Sequence, residues 1–177
     1  DELKDILNSN LEELSRMGHL VDDLLLLSKS ELGEIPLKME ALNLNGILEE
    51  LHFHGTIIAE PKNIEVILKG PDKQVSILAD ANRIRQVFLN LLINALDAIA
   101  ETDRDGEITI HGTAEDGHLK LVLKDNGIGL RTEDISRVFD LFFTTKEVGK
   151  GTGLGLSISY GIVKDCGGSI QAVPNKP

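Results

Sequence analysis

A single cysteine, Cys166, occurs in 177 residues, which excludes an internal disulfide and suits a reducing compartment. Its position near the end of the last apolar-periodic run reads as structural. Positive charge is also scarce: 18 Lys and Arg stand against 29 Asp and Glu, a formal net charge of −11. That balance argues against nucleic-acid binding through the phosphate backbone, which needs clustered Lys and Arg. The negative charge is spread, with no tail-like block. No apolar stretch approaches the ~20 residues of a membrane span, and no signal peptide, internal repeat or low-complexity tract is visible. A cytoplasmic location with no membrane contact by this segment is expected, and the length suffices for one good core plus an appended helix.

The chemistry-bearing residues form an ordered train of four short motifs between Asn90 and Leu156. In the first, Asn90-Leu-Leu-Ile-Asn94-Ala-Leu-Asp97, the three polar residues sit at i, i+4 and i+7 and share one face of a helix. Ile84, Val87, Phe88, Leu91, Leu92, Ala95 and Ile99 supply a broad apolar surface for packing on a sheet. A polar stripe on so apolar a helix is costly unless it meets water, caps a loop or holds a ligand. Asn carbonyl oxygens are hard neutral donors of the kind Mg²⁺ accepts beside phosphates. The stripe alone leaves the solvent-facing and ligand-holding readings open.

In the second motif, residues 106–112 and 118–124 alternate as two strands of an antiparallel hairpin. The second strand runs into Asp125-Asn-Gly127-Ile-Gly129. An Asp at a strand end can accept a hydrogen bond from an exocyclic amine such as that of adenine, and the glycines allow a sharp turn close to a flat base. An ordinary Asn-Gly turn is the plainer alternative. The third motif is Phe139-Asp-Leu-Phe-Phe-Thr144-Thr145-Lys146. In the fourth, Gly149, Gly151, Gly153 and Gly155 open an apolar-periodic helix, where backbone amides and the helix dipole favour an anion. No Lys-Ser/Thr pair follows them, so this is not a Walker loop, and no strand precedes them as in a dinucleotide-binding unit.

Together these motifs resemble the N, G1, F and G2 boxes of the sensor histidine kinase catalytic domain. More broadly the chain is similar to the GHKL ATPase superfamily, over roughly residues 36–174. The resemblance implies an α+β, two-layer sandwich of the Bergerat ATP-binding type. Its sheet would be mostly antiparallel and preceded by one long amphipathic helix. It implies ATP and Mg²⁺ as cofactors, with Asn94 holding the metal and Asn90 as a second contributor. Asp125 would receive the adenine amine, with Gly127 and Gly129 shaping that end. Asp97, Thr144, Thr145, Lys146, Gly151, Thr152, Gly153, Leu154 and Gly155 would complete the nucleotide contacts. The segment from Val138 to Lys150 would be a mobile lid, and Asn90, Asn94 and Lys146 would carry the catalytic roles.

Hydrolysing relatives of the superfamily carry a water-activating Glu four residues before the metal Asn. Asn90 stands there in this chain, and an amide is no general base near neutral pH. A phosphotransferase is therefore favoured over a GHKL-type ATPase. An anti-sigma type serine kinase and a non-catalytic nucleotide-binding module are further alternatives. The pair Asp97-Ala98 with the Phe-Phe-Thr-Thr-Lys run resembles the nitrogen-regulation-like branch of sensor kinases.

Leu3, Leu7, Asn10, Leu14, Met17, Val21 and Leu24 follow a heptad seam, and Gly33 and Pro36 stop the helix. Residues 1–33 resemble the second helix of the family's dimerisation and histidine-phosphotransfer hairpin, followed by the catalytic domain over 34–177. The resemblance implies homodimerisation through the hairpin helices and a response regulator receiver domain as partner. In this family the phosphoacceptor is a His followed by an acid. His19, His52, His54, His111 and His118 are followed by Leu, Phe, Gly, Gly and Leu, so the acceptor is expected upstream of Asp1. The remaining expected elements are a helix near 43–58, strands near 65–69 and 75–78, the striped helix over 81–100, a short helix near 133–138 and a closing strand at 169–173.

Overall fold

The computed structural model describes residues 17, 18, 21, 37–71, 73–115, 118–147 and 151–174. The heptad helix expected over 1–33 lies outside the described residues apart from Met17, Gly18 and Val21, which are helical and exposed.

The element order is β1 (Glu40–Asn43), α1 (Leu44–Ala59), a 3-10 turn (Glu60–Lys62), β2 (Ile64–Lys69), β3 (Ser76–Ala79), α2 (Ala81–Ala100), β4 (Gly106–Glu115), β5 (His118–Asp125) and α3 (Gly155–Asp165). β1 and β3 pair antiparallel, Glu40 opposite Ala79 and Asn43 opposite Ser76. The main sheet has the order β2-β4-β5. β2 runs parallel to β4, with Ile64 opposite Gly106, and β4 runs antiparallel to β5, with Ile108 opposite Asp125.

Period-two alternation decides which face of this sheet is covered. Ile64, Val66, Ile108 and Ile110 are buried against Leu44, Leu48, Leu51, Phe88, Leu92 and Leu96 of α1 and α2, with Leu119, Leu121 and Leu123 packed at the margin. The intervening Glu65, Glu107, His111, Lys120 and Lys124 are exposed. Helices on one face and polar side chains on the other make two layers, as expected. The layers are close: a Cβ on Gly112 would lie 2.5 Å from Leu48 Cδ1, so a larger residue there would force the Leu48 side chain to shift.

α2 is the shared wall. One side faces the sheet, while Val87 and Leu91 meet Leu154, Ile158, Ile162 and Val163 in a second apolar cluster that seats α3. Its start is fixed by Asp80, whose Oδ1 accepts from Asn82 N (3.0 Å) and Arg83 N (3.2 Å) while Oδ2 accepts from Lys38 N (2.9 Å). Burial pushes the Asp80 carboxyl upward, but these three amides and the Arg83 charge together hold it below its ordinary pKa. Arg85 clasps Glu50 of α1 through Nε (2.5 Å) and Nη2 (2.8 Å), and this bidentate bond chiefly lowers the Glu50 pKa and raises that of Arg85.

Two expected elements differ. Residues 132–139 are a chain of turns and not a helix. Bonds from Asp134 N to Arg131 O (3.0 Å), Arg137 N to Asp134 O (2.8 Å) and Asp140 N to Arg137 O (2.8 Å) advance in steps of three. Only Val138 is buried within the run, too small an apolar face to hold a short helix. Residues 169–173 form no strand. The alternation that suggested one survives as half-buried Ile170 and Ala172 among exposed neighbours, but alternation reports a face and does not supply a ladder partner.

Candidate functional site

The striped face of α2 carries the expected residues, and each amide is oriented by a definite acceptor. Asn94 Nδ2 donates to the Asn90 carbonyl at 2.9 Å, one turn back, which turns Asn94 Oδ1 away from the helix. Asn90 Nδ2 donates to Gly155 O (3.0 Å) and to Ser159 Oγ (3.3 Å), joining α2 to the first turn of α3. Ser159 is fully buried and also donates to Gly155 O, at 2.8 Å.

Lys146 brings the third motif onto the stripe. Its Nζ lies 2.6 Å from Asp97 Oδ2 and 3.2 Å from Asn94 Oδ1, with the Lys146 and Asp97 side chains 24% and 35% exposed. Its backbone N–H donates to Thr144 Oγ1 at 3.2 Å. The glycine loop lies beside it: a Cβ on Gly151 would come within 2.6 Å of Thr144 Oγ1 and 3.1 Å of Lys146 Cδ. Gly153 adopts φ +68°, a backbone that favours glycine, and a Cβ there would lie 2.6 Å from Phe142 O. Phe142, itself at φ +64°, donates its N–H to Gly153 O at 3.1 Å. The third and fourth motifs are thus bonded to each other.

At the loop's end Thr152 Oγ1 accepts from Leu154 N at 3.2 Å. The Leu154 side chain is buried in the cluster with Val87, Ile158 and Ile162, so it faces core and not a ligand. α3 starts without a side-chain cap, and its first residue, Gly155, lies against the Asn90 side chain. Thr145 is exposed. Val138, the first residue of the expected lid, is buried, and Phe139 packs on Tyr160 of α3 with centroids 5.7 Å apart. Residues 148–150, including Gly149, lie outside the described residues.

The second motif meets α2 at Ala98, the residue after Asp97. Asp125 Oδ1 accepts from Gly127 N at 2.9 Å, closing an Asx turn. Ile128 N donates to Ala98 O (3.0 Å), and a Cβ on Gly127 would lie 2.5 Å from Ala98 C. Gly129 has φ +73°. Asn126 pins this loop to β4, accepting from Glu107 N (2.9 Å) and donating to Asp105 O (2.8 Å). Sequence reasoning passed over Asn126 and Ser159. The second had a visible signal, a serine four residues after Gly155 inside an apolar run, and the first sat within a motif whose aspartate drew attention.

The donor set suits a hard cation. Asn94 Oδ1 and Asp97 Oδ2 already converge on one positive group, the Lys146 ammonium. Among the described residues no three His, Cys, Asp or Glu gather as a metal cage. Among the described residues no helix is long and apolar enough to cross a membrane.

Residues 79–177 match the family of histidine kinase-, DNA gyrase B- and HSP90-like ATPases. The chain is 33% identical to the sensor kinase CckA of Brucella abortus over 94% of its own length, but it spans only 18% of that relative. The catalytic domain of histidine kinase ThkA superimposes with a TM-score of 0.63 at 30% identity, covering 72% of this chain and 81% of that one. ThkA in complex with the response regulator protein TrrA superimposes with a TM-score of 0.71 at 27% identity, covering 94% of this chain and 45% of the solved one.

Proposed function

The chain belongs to the histidine kinase-, DNA gyrase B- and HSP90-like ATPase family, and from that premise we propose that it is the ATP-binding catalytic region of a two-component sensor histidine kinase, transferring the γ-phosphoryl group of Mg-ATP to a histidine outside this chain. The observation that carries the reading is the convergence of Asn94 Oδ1 and Asp97 Oδ2 on a cation beside an uncapped, glycine-led helix start.

The adenine would lie against the 126–129 loop with Asp125 accepting its amine, and the phosphates toward Gly151, Thr152, Gly153 and Gly155. Asn94 would hold Mg²⁺, with Asn90 contributing, and the bound metal would neutralise phosphate charge. Phosphoryl transfer asks a protein chiefly for positioning and for charges aimed at the oxygens. Asn90 here spends its N–H bonds locking α3 to α2, a positioning task, and has no basicity with which to activate water. That favours a kinase over an ATPase. The finer assignments rest on the sequence motifs: the nitrogen-regulation-like branch, the hairpin helix over 1–33 with homodimerisation through it, a receiver-domain partner, and a cytoplasmic location for this region.

Calorimetry with a non-hydrolysable ATP analogue, with and without Mg²⁺, tests the reading. Magnesium-dependent binding that Asn94→Ala weakens at least about tenfold is expected, the loss of one charge-bearing contact being worth roughly 1.4 kcal/mol or more. Binding indifferent to magnesium would favour a module that uses the pocket only for stability. With radiolabelled ATP the chain alone is expected neither to label itself nor to turn over ATP rapidly. Labelling of His19 would overturn the missing-acceptor assignment, and rapid turnover would restore the ATPase alternative.

A further inference from the structure

Lys146 stands on the oxygen that a metal on Asn94 would need. Asn94 is not free to turn aside, because its Nδ2 is bonded to the Asn90 carbonyl at 2.9 Å. Its outward Oδ1 meets the Lys146 ammonium at 3.2 Å, and the same ammonium is 2.6 Å from Asp97 Oδ2. Thr144 Oγ1 accepts from its backbone N–H, and the stem runs so close to Gly151 that a Cβ there would come 3.1 Å from Lys146 Cδ. Magnesium binds oxygen at about 2.0–2.1 Å and requires near-octahedral room for its waters and phosphate oxygens. An ammonium and a divalent cation placed on one carbonyl oxygen repel strongly in a half-shielded site. The two occupants exclude each other.

We propose that Lys146 is a built-in competitor for the metal position, and that magnesium nucleotide binds by exchange. The ammonium leaves Asn94 and Asp97 for the negative charge of the phosphates as the metal takes the vacated oxygen. Asp97, which loses its partner, is left beside the incoming cation. Because Thr144, Lys146 and Gly151 are in mutual contact, the exchange also moves the glycine loop, so that loading of the metal and seating of the phosphates are one event. This deepens, and rests on, the reading of the pocket as a Mg-ATP site.

The test is the magnesium advantage, meaning the ratio of dissociation constants for AMPPNP in EDTA and in saturating Mg²⁺, measured by calorimetry on the chain and on Lys146→Met. The substitution keeps the stem and removes the competing charge, so affinity in Mg²⁺ gains relative to affinity in EDTA. A ratio increased by about threefold or more is expected, the scale of a partly exposed ion pair. A ratio that is unchanged or smaller overturns the exchange while leaving the Mg-ATP reading intact. Failure of both proteins to bind AMPPNP in either buffer overturns that underlying reading and the exchange with it. A second readout needs no variant. In ¹⁵N-lysine spectra the Lys146 ammonium resonance is expected to shift when Mg-AMPPNP is added and to stay in place when Mg²⁺ is added alone at the same concentration. Persistence of the resonance unshifted in the presence of bound Mg-AMPPNP overturns the exchange.

Discussion

Two neighbouring contact regions of the striped helix, at Ala98 and at Asn94, are built on opposite terms. At Ala98 the 126–129 loop is held by backbone: Ile128 N bonds Ala98 O, Gly127 presses on the Ala98 backbone, and Asn126 N bonds Glu107 O of β4. Around Asn94 the contacts are made by side chains, chiefly one lysine on a carboxylate and an amide. Backbone contacts cannot exchange partners without moving the chain itself, whereas a partly exposed ion pair can. A flat base that is bound the same way in every cycle suits the first arrangement. Under the proposed function, a phosphate chain that arrives with a metal and departs shortened would suit the second.

The sharpest way to break this contrast is Gly127→Ala. Its new methyl would sit 2.5 Å from Ala98 C and 2.6 Å from Ala98 O, backbone atoms in the last turn of a packed helix. Overpacking of this kind costs about 1–3 kcal/mol, and the upper half of that range is expected in urea denaturation because neither wall is a flexible side chain. A change under about 0.5 kcal/mol would mean that the loop is not rigid and the contrast is false.

Next in size is Asp80→Ala, which weakens the helix that both regions share. Loss of an N-cap costs roughly 1 kcal/mol, and Asp80 serves three amides. The pH dependence follows from the lowered carboxyl pKa. A group more acidic in the folded state contributes its stability above the ordinary aspartate value, near 4. That contribution is lost as pH falls through the lowered value. Wild type should therefore lose stability more steeply than Asp80→Ala when chemical denaturation is followed from pH 6 downward. Parallel curves would remove Asp80 from the account.

How much of this was legible in the sequence depends on the kind of contact. The striped helix, the hairpin and the glycine-led helix have the expected places because each rests on local periodicity or backbone rules. The turns at 132–139 and the unpaired 169–173 were misread because propensity and alternation were visible while the packing that would hold them was not. In the site, Asn94 and Lys146 were each singled out separately. That one is bonded to the other across 52 positions of chain was beyond any spacing rule. Asn126 and Ser159 escaped for the same reason, since their partners Glu107, Asp105 and Asn90 are distant in sequence.

The smallest expected effect is the most discriminating. Lys146→Met removes the ion pair that dominates the Asn94 region, yet the pair is partly exposed, with side chains 24% and 35% accessible. Exposed pairs typically contribute between 0.2 and about 1 kcal/mol, less as salt rises. The variant should thus be destabilised by only about 0.5 kcal/mol in urea at low salt, and by less at 0.5 M NaCl. Gly127→Ala should show no such salt dependence, because its cost is steric. If Lys146→Met were as damaging as Gly127→Ala, the lysine would be a structural strut, the side-chain region would be as fixed as the backbone region, and a cation bound there could not be traded for a metal.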